Sequence, residues 1–162
     1  MPRLLRFAAS VMCVNETRVT LNDCYENFYM NANWYGAAPH KYILSEAPIS
    51  DANPDVATDG DFWYMVGTLD AIQIVMLGRF EEINYFREEF IERQVALSLL
   101  HDGVVFKRCY NIPHLQCWTW PEDGPPRSPQ TIANLICTLI KRPGLTIVHC
   151  TYVSYIIKYQ PP

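Results

Sequence analysis

Short runs of hydrophobic residues, separated by polar or proline-containing stretches, divide this chain into predicted strands and helices. Two runs, 72–77 and 145–150, are hydrophobic almost without interruption. Such runs are typical of strands that are buried on both faces of a sheet. Less regular runs that are rich in β-branched and aromatic residues predict further strands. These additional strands are predicted at Cys13–Leu21, Tyr25–Trp34, His40–Ser45, Val104–Cys109 and Pro113–Trp118.

Two stretches show the three- and four-residue spacing of hydrophobic residues that predicts an amphipathic helix. The first helix is predicted to begin at Asp59 or Asp61, either of which can cap it, and to continue to about Ala71. The second is predicted to begin after Ser128, where proline occupies the first helical position, and to end before Pro143. The residues predicted to share one face of the second helix are Ile132, Leu135, Ile136, Leu139 and Ile140.

Three further stretches differ in character from these elements. Glu81–His101 is rich in Glu, Arg, Leu and Phe, so its propensities favour a helix over part of its length. The pair Asp102 and Gly103 then predicts a turn. The stretch Thr151–Tyr159, after the last predicted strand, lacks glycine and proline and is rich in Tyr, Val and Ile. It is predicted to prolong the preceding strand or to lie extended.

Composition narrows the class of protein to a single globular domain. The chain has 162 residues, of which 49% are hydrophobic and 19% are charged. A net charge of -4 and the absence of a basic stripe argue against nucleic acid as a partner. No apolar run approaches the ~20 residues of a membrane-spanning helix.

The six cysteines are dispersed without a Cys-x-x-Cys pair, and so are the four histidines. We therefore expect neither a metal site nor a cofactor. Dispersed cysteines are typical of buried thiols in a reducing compartment, which favours a cytoplasmic protein.

Six short motifs follow one another along the chain. They are Tyr-Met-Asn-Ala-Asn at 29–33, His-Lys-Tyr-Ile at 40–43 followed by Glu-Ala-Pro at 46–48, Asp-Phe-Trp-Tyr-Met-Val at 61–66, Ile-Val-Met-Leu at 74–77, Trp-Pro-Glu-Asp-Gly-Pro-Pro at 120–126 and Ile-Val-His-Cys at 147–150. In this order they resemble motifs of the protein-tyrosine-phosphatase family. The resemblance implies an α/β fold with a highly twisted mixed β-sheet flanked by helices, similar to the N-terminal two-thirds of a phosphatase domain. It implies that residues 1–150 form an incomplete phosphatase-like domain and that 151–162 form a divergent tail.

The resemblance also assigns chemical roles to residues of the last two motifs. In the family a cysteine thiolate attacks phosphorus and forms a phosphocysteine, so Cys150 is the expected nucleophile. Glu122 takes the place of the aspartic acid that protonates the leaving oxygen. Its extra methylene displaces that proton, and misplacement of this order can cost about 10²-fold in rate. Asp123, one residue further on, and His149, beside the cysteine, are the expected substrate-side residues.

The sequence departs from the family immediately after Cys150. The family continues with a glycine-rich loop that ends in an arginine, and that loop binds the phosphate. Here Val153 and Tyr155 stand where the family has glycine, and Ile156 stands where it has arginine. Valine is poorly suited to the backbone angles of an anion-binding loop. Losing a cation that stabilises phosphoryl transfer can cost about 10³–10⁵-fold in rate. We therefore expect an impaired or inactive phosphatase.

Two other functions stay open at this point. The alternatives to an impaired phosphatase are a non-catalytic protein-interaction module and a truncated fragment of an active phosphatase. The expected partner is a phosphotyrosine protein if the chain is active, and otherwise a protein that the sequence does not identify. Because the family's helices after the cysteine are missing, we also expect one face of the strands 72–77 and 145–150 to be partly exposed.

Overall fold

A mixed β-sheet with a helix on each face forms most of the secondary structure of the described residues. The computed structural model describes residues 13–21, 28–50, 57–78, 90–121, 125–126 and 128–150. A short 3₁₀ turn, Asn15–Thr17, precedes the sheet. The elements that follow are β1 (Ala32–Ala37), β2 (His40–Glu46), α1 (Asp59–Thr68), β3 (Gln73–Leu77), β4 (Ile91–His101), β5 (Val104–Cys117), α2 (Pro129–Leu139) and β6 (Gly144–Cys150).

The strand order in the sheet differs from the order in the chain. The six strands are arranged β1-β2-β6-β3-β5-β4. The four inner strands are parallel to one another, and the two edge strands, β1 and β4, are antiparallel to their neighbours. Parallel neighbours need crossover connections. Helix α1 lies between β2 and β3 in the chain, and α2 lies between β5 and β6. The last strand, β6, is therefore inserted between β2 and β3.

Helix α1 covers the first face of the sheet. Phe62, Met65 and Val66 of α1 are fully buried in one cluster with Ile74 of β3 and Ile147 of β6. Alternate residues of a strand point to the same face, so β2 and β5 add further side chains to this cluster. The first face therefore supports a continuous hydrophobic core under α1.

Helix α2 covers the second face of the sheet, where the alternate strand residues point. Leu135 and Leu139 of α2 pack in a cluster with Val75 of β3 and with Val148 and Cys150 of β6. Polar contacts also lie under the helix, because the side-chain amide of Gln73 donates to the backbone oxygen of Leu139 at 3.3 Å and to the hydroxyl of Thr146 at 2.8 Å. The central strands are thus buried on both faces.

Several predicted elements are confirmed with small shifts of their ends. The helix predicted to begin at Asp59 or Asp61 is α1, although Thr58, and neither aspartate, holds its N-cap position. The helix predicted after Ser128 is α2, and the strands predicted at 72–77 and 145–150 are β3 and β6. The turn at Asp102 and Gly103 is also confirmed. Both residues have positive φ, 49° and 77°, which is typical of the two-residue turn that matches the twist of a hairpin. The mixed α/β sheet that the family resemblance implied is present.

The helix predicted within Glu81–His101 is wrong over the described part of that stretch. Residues 91–101 form β4, paired antiparallel with β5 across the Asp102–Gly103 turn. Pairing with β5 outweighs helix propensity, because Val95 and Leu97 pack against the cluster under α1 and Leu99 lies beside Gly67 of that helix. Residues 81–89 lie outside the described residues.

Other strands begin and end at residues that differ from the predicted ones. The strand predicted at 13–21 is a 3₁₀ turn followed by a single bridge, Arg18 to Asn33. The strand predicted at 25–34 begins only at Ala32 and continues to Ala37, while 22–27 lie outside the described residues. The two strands predicted at 104–109 and 113–118 are one strand, β5, whose pairing with β4 contains two irregularities.

The predicted exposure of the central strands is also wrong, because α2 shields them. All five residues of β3 are buried, and β6 is buried from Leu145 onward. The hydrophobic face predicted for α2 is only partly in the core: Leu135 and Leu139 are buried, but Ile136 and Ile140 are each 51% exposed. Ser128 stands at the N-cap position, but its side chain makes no capping hydrogen bond.

Two glycines of α1 give a matched test of how closely this helix packs on β4. A Cβ added at Gly67 lies 2.8 Å from the nearest carbon of Leu99 and 2.9 Å from Leu97, whereas one added at Gly60 meets nothing within 4 Å. Gly67→Ala should therefore lower the free energy of unfolding by about 1–3 kcal/mol through overpacking. Gly60→Ala should be neutral or stabilise by up to about 1 kcal/mol. Urea unfolding of both variants measures the difference, and equal effects would contradict the packing described.

Candidate active site

The carboxyl ends of the four parallel strands meet at one edge of the sheet. Strand register places four residues side by side along this edge: Glu46 is opposite Cys150, Cys150 is opposite Leu77, and Leu77 is opposite Cys117. Register partners in a sheet share a face. We call these four residues the edge row. In open α/β sheets, ligands bind beyond the carboxyl ends of the strands.

Cys150 is the last residue of β6 and lies in the edge row between Glu46 and Leu77. It is 8% exposed and packs in the cluster under α2. Its backbone oxygen accepts a hydrogen bond of 3.0 Å from the backbone N–H of Ala47, immediately after β2. The predicted nucleophile is therefore held between two neighbouring strands up to the point where the sheet ends.

The predicted acidic turn begins at the same edge. The backbone N–H of Trp120 donates to the oxygen of Cys117 at 3.2 Å, which turns the chain at the end of β5. The Trp120 side chain packs against the cluster that contains Cys150. Glu122 and Asp123, the predicted acid and its neighbour, lie outside the described residues. The start of their loop is thus brought to the cysteine's edge of the sheet.

His149 points to the other face, as expected for a strand residue next to Cys150. It is 4% exposed, and its ring lies edge-on to Phe62 of α1 with the ring centroids 5.2 Å apart. The ring of His114 is stacked on that of His149, with the ring centroids 5.9 Å apart. Within the described part of the chain, the His149 Nδ1 atom has no hydrogen-bond partner. The predicted substrate-side role of His149 stays a prediction, and its described contacts belong to the core under α1.

Burial makes this histidine pair neutral. Burial, reinforced by the nearby His114, lowers the pKa of His149 to about 3. Burial and the positive charge of Arg93 also lower the pKa of His114. Arg93 itself donates to the side-chain oxygen of Gln116 at 2.9 Å. The first face therefore holds uncharged imidazoles at neutral pH.

Glu46 is the site-edge residue that the sequence analysis did not single out for a role. Its backbone N–H donates to the oxygen of Asn31 at 3.0 Å, and its carboxylate lies 3.4 Å from the backbone nitrogen of Asn31, which donates to it. The motif at 46–48 was visible in the sequence. Its proximity to Cys150 depends on the pairing of β2 with β6, which no local pattern reveals.

The described residues contain no group of three or more His, Cys, Asp or Glu side chains that could hold a metal ion. No helix in the described ranges is both long and apolar enough to cross a membrane.

Comparisons with known proteins identify the family and the fold of this chain. A family model described as protein-tyrosine phosphatase matches residues 6–94. The fold is similar to that of the Trypanosoma cruzi protein tyrosine phosphatase TcPTP1, with a TM-score of 0.60 and 17% identity over 90% of this chain and 61% of that one. It is also similar to PTPN18 in complex with HER2 phosphopeptides, with a TM-score of 0.60 and 19% identity over 91% of this chain and 64% of that one. No curated protein gives a significant match.

A third similar structure, the Trypanosoma brucei protein tyrosine phosphatase TbPTP1, has a TM-score of 0.58 and 18% identity over 86% of this chain and 57% of that one. The chain therefore spans roughly 60% of the length of the solved structures that it resembles.

The buried His149 should make the stability of the protein depend on pH. Its pKa is about 3 in the folded protein and 6.5 in the unfolded chain. Between pH 3 and pH 6.5 this histidine is therefore protonated in the unfolded chain and neutral in the folded protein, which favours unfolding. The stability of the fold is thus unaffected by His149 above about pH 6.5 and falls as the pH is lowered towards 3. Between pH 7 and pH 5 the free energy of unfolding should fall by about 2 kcal/mol. Urea unfolding at a series of pH values measures this.

Two variants provide the controls for this pH dependence. His149→Leu should flatten the stability profile between pH 7 and pH 5. His101→Gln should leave the profile unchanged, because the His101 side chain is 68% exposed. A profile that stays equally steep in His149→Leu would show that other groups cause the acid sensitivity.

Proposed function

Because this chain belongs to the protein-tyrosine-phosphatase family, we propose that it keeps the family's cysteine strand but hydrolyses phosphotyrosine slowly or not at all. In this proposal residues 1–150 are the phosphatase-like domain and 151–162 are a divergent tail. The observation that carries the proposal is the position of Cys150 at the carboxyl end of a central parallel strand.

Cys150 is the proposed nucleophile of the family reaction. Its thiolate would attack the phosphorus of phosphotyrosine, the bond to the tyrosyl oxygen would break, and water would then hydrolyse the phosphocysteine. A thiolate at neutral pH needs positive potential around it. In the family the arginine of the phosphate-binding loop contributes to this potential, and Ile156 stands at its position here.

Glu122 is the proposed general acid, with Asp123 as the neighbouring carboxylate. Support for this assignment comes from Trp120, which begins the turn at the edge where Cys150 ends. The acid would donate a proton to the leaving tyrosyl oxygen and then remove one from the attacking water.

Ile156 is the proposed cause of the impairment. The phosphoryl group carries charge during its transfer that an arginine clamp stabilises, and a hydrocarbon side chain offers neither charge nor a hydrogen bond. By analogy with other cations in phosphoryl transfer, the loss is about 10³–10⁵-fold in rate. Val153 and Tyr155 add to it, because side chains at these positions disfavour a loop of inward-pointing N–H groups.

A non-catalytic interaction module is the second candidate function. It is favoured by the hairpin of β4 and β5, whose distal half exposes several large hydrophobic side chains: Leu100, Val104, Val105, Phe106 and Tyr110. Exposed apolar clusters often mark protein interaction sites. The proposed partner is a phosphotyrosine protein if activity survives, since the similar PTPN18 structure holds phosphopeptides. Otherwise it is another protein that binds this hairpin.

No disulfide links the five described cysteines, which supports a cytoplasmic location. The share of each similar structure that this chain spans also favours a third possibility, that the chain is one piece of an active phosphatase.

Hydrolysis of an aryl phosphate tests the proposal. The purified chain should hydrolyse p-nitrophenyl phosphate no faster than its Cys150→Ser variant, because the phosphate clamp is missing. Both proteins should first be shown to unfold cooperatively, so that a lack of activity reflects the site and not a loss of fold.

A rate clearly above that of Cys150→Ser, and slowed further by Glu122→Gln, would contradict the proposed impairment. That outcome would establish a working phosphatase in which another cation replaces the clamp. Activity that Cys150→Ser leaves unchanged would instead point to a contaminating enzyme.

A further inference from the structure

Strand β4 leaves a long edge of the sheet open. It has 11 residues and stands last in the strand order, and in the described part of the chain its backbone pairs only with β5. The opposite edge strand, β1, is partly covered, because the N–H of Val19 donates to the oxygen of Ala32 at 2.9 Å and Arg18 forms a bridge with Asn33. The N–H and C=O groups along an open edge can pair with a strand of another chain.

The sequence of β4 lacks the features that usually prevent such pairing. Proteins protect sheet edges with charged residues, prolines and bulges. Residues 95–100 read Val-Ala-Leu-Ser-Leu-Leu and contain neither a charge nor a proline. At both irregularities of the hairpin the extra residue lies in β5; for example, the three steps from Cys109 to Ile112 are opposite the two steps from Val95 to Leu97. The β4 strand itself therefore runs regularly along the edge.

The side chains next to this edge are mostly apolar on both faces of the sheet. On the first face, Leu97 packs against the cluster under α1 and Leu99 is buried. On the second face, Ala96 and Ser98 are exposed, and Leu100 is 55% exposed. A strand added at this edge would cover hydrocarbon on each face.

A second copy of the chain supplies a strand that fits these conditions. The added strand must be extended, uncharged and apolar on both faces, and β4 of a second copy has all three properties. It is already held extended by β5, so it loses less conformational entropy on binding than a disordered peptide does. Two identical strands that pair antiparallel are related by a two-fold axis, which closes the assembly as a dimer.

The charges of β4 select the register of this pairing. Opposite residues share a face, so the two-fold axis must pass through a residue and not between two. An axis at Ala96 would place the charged Glu92 and Arg93 opposite leucines, and an axis at Leu97 would place Glu92 opposite Asp102. An axis at Ser98 pairs the uncharged residues 96–100 with themselves.

We propose that two copies of this chain pair antiparallel through β4, with Ser98 opposite Ser98 of the second copy, so that two six-stranded sheets form one continuous sheet. In this dimer Leu97 lies opposite Leu99, and Ala96 lies opposite Leu100. The dimer goes beyond the proposed function and does not depend on the activity of Cys150. It makes a second copy the partner of the β4 edge of the hairpin.

Sedimentation velocity of the complete chain, at micromolar to millimolar concentrations, tests the proposal with the variant Ser98→Glu. The unmodified chain should sediment as a dimer whose share rises with concentration. Ser98→Glu should abolish the dimer, because two carboxylates then face each other at the two-fold axis. In a single copy the new carboxylate is opposite Arg108 of β5, so the variant should unfold as cooperatively as the unmodified chain.

Tyr110→Glu is the matched control for this variant. It adds the same charge to the hairpin at a residue that is 63% exposed, but on β5, one strand away from the edge. The dimer should persist in Tyr110→Glu. A dimer that this variant also abolishes would place the contact on the exposed face of the hairpin and would overturn the edge pairing.

Cross-linking tests the register. In Ser98→Cys the two new Cβ atoms should lie about 4.5–5.5 Å apart across the axis, so mild oxidation with diamide should give a covalent dimer after a small adjustment. Ala96→Cys is the control, because its side chain lies on the same face but opposite Leu100. It should cross-link no more than the unmodified chain, in which Cys137 is already exposed.

Three results would overturn the proposal. One is an unmodified chain that sediments as a monomer at every concentration. Another is a dimer that Ser98→Glu leaves intact. The third is equal cross-linking of Ser98→Cys and Ala96→Cys. None of these results bears on the phosphatase assay, so the proposed function stands or falls separately.

Discussion

Strand β6 is hydrogen-bonded to a parallel strand on each side, and this double pairing fixes the position of everything at the candidate site. Its register with β2 places Glu46 beside Cys150, and its register with β3 places Leu77 on the other side. A one-residue slip of β6 would move Cys150 to the opposite face and bring His149 under α2. The hydrophobic residues that fill both faces of β6 make such a slip costly. The chemistry of the edge therefore depends on the burial of the strand.

The same alternation gives two adjacent residues opposite surroundings. His149 faces α1, where burial against Phe62 and His114 keeps it uncharged. Cys150 faces α2, where its described neighbours include hydrocarbon side chains and its strand partner is Glu46. The family's fold is thus kept, whereas Ile156 at the position of the family's arginine is the change that we propose as disfavouring the family's reaction.

The sequence predicted the elements whose pattern is local. The apolar runs identified β3 and β6, and helical spacing identified α1 and α2, because a buried strand or an amphipathic helix shows its period in consecutive residues. The prediction failed for β4, where alternation was present but charged residues and helix propensity masked it, and pairing with β5 decided the outcome.

Long-range neighbours and exposure were harder to predict. The position of Cys150 at a strand end was predictable, whereas its neighbour Glu46 was not, because the two are far apart in the chain and meet only through the pairing of β2 with β6. Exposure depends on what the rest of the fold places against an element: Ile136 and Ile140 match the helical period of α2 yet lie outside its contact with the sheet.

Binding of orthovanadate, which mimics the phosphoryl group and bonds to a reactive thiolate, decides whether a phosphate site surrounds Cys150. Isothermal titration calorimetry of the folded chain near pH 7 reports this binding without any need for turnover. A site that lacks both an arginine clamp and a thiolate should show no saturable binding at millimolar concentrations, and the trace should match that of Cys150→Ser. Saturable binding that Cys150→Ser abolishes would show that a working phosphate site surrounds the cysteine, and would contradict the proposed impairment.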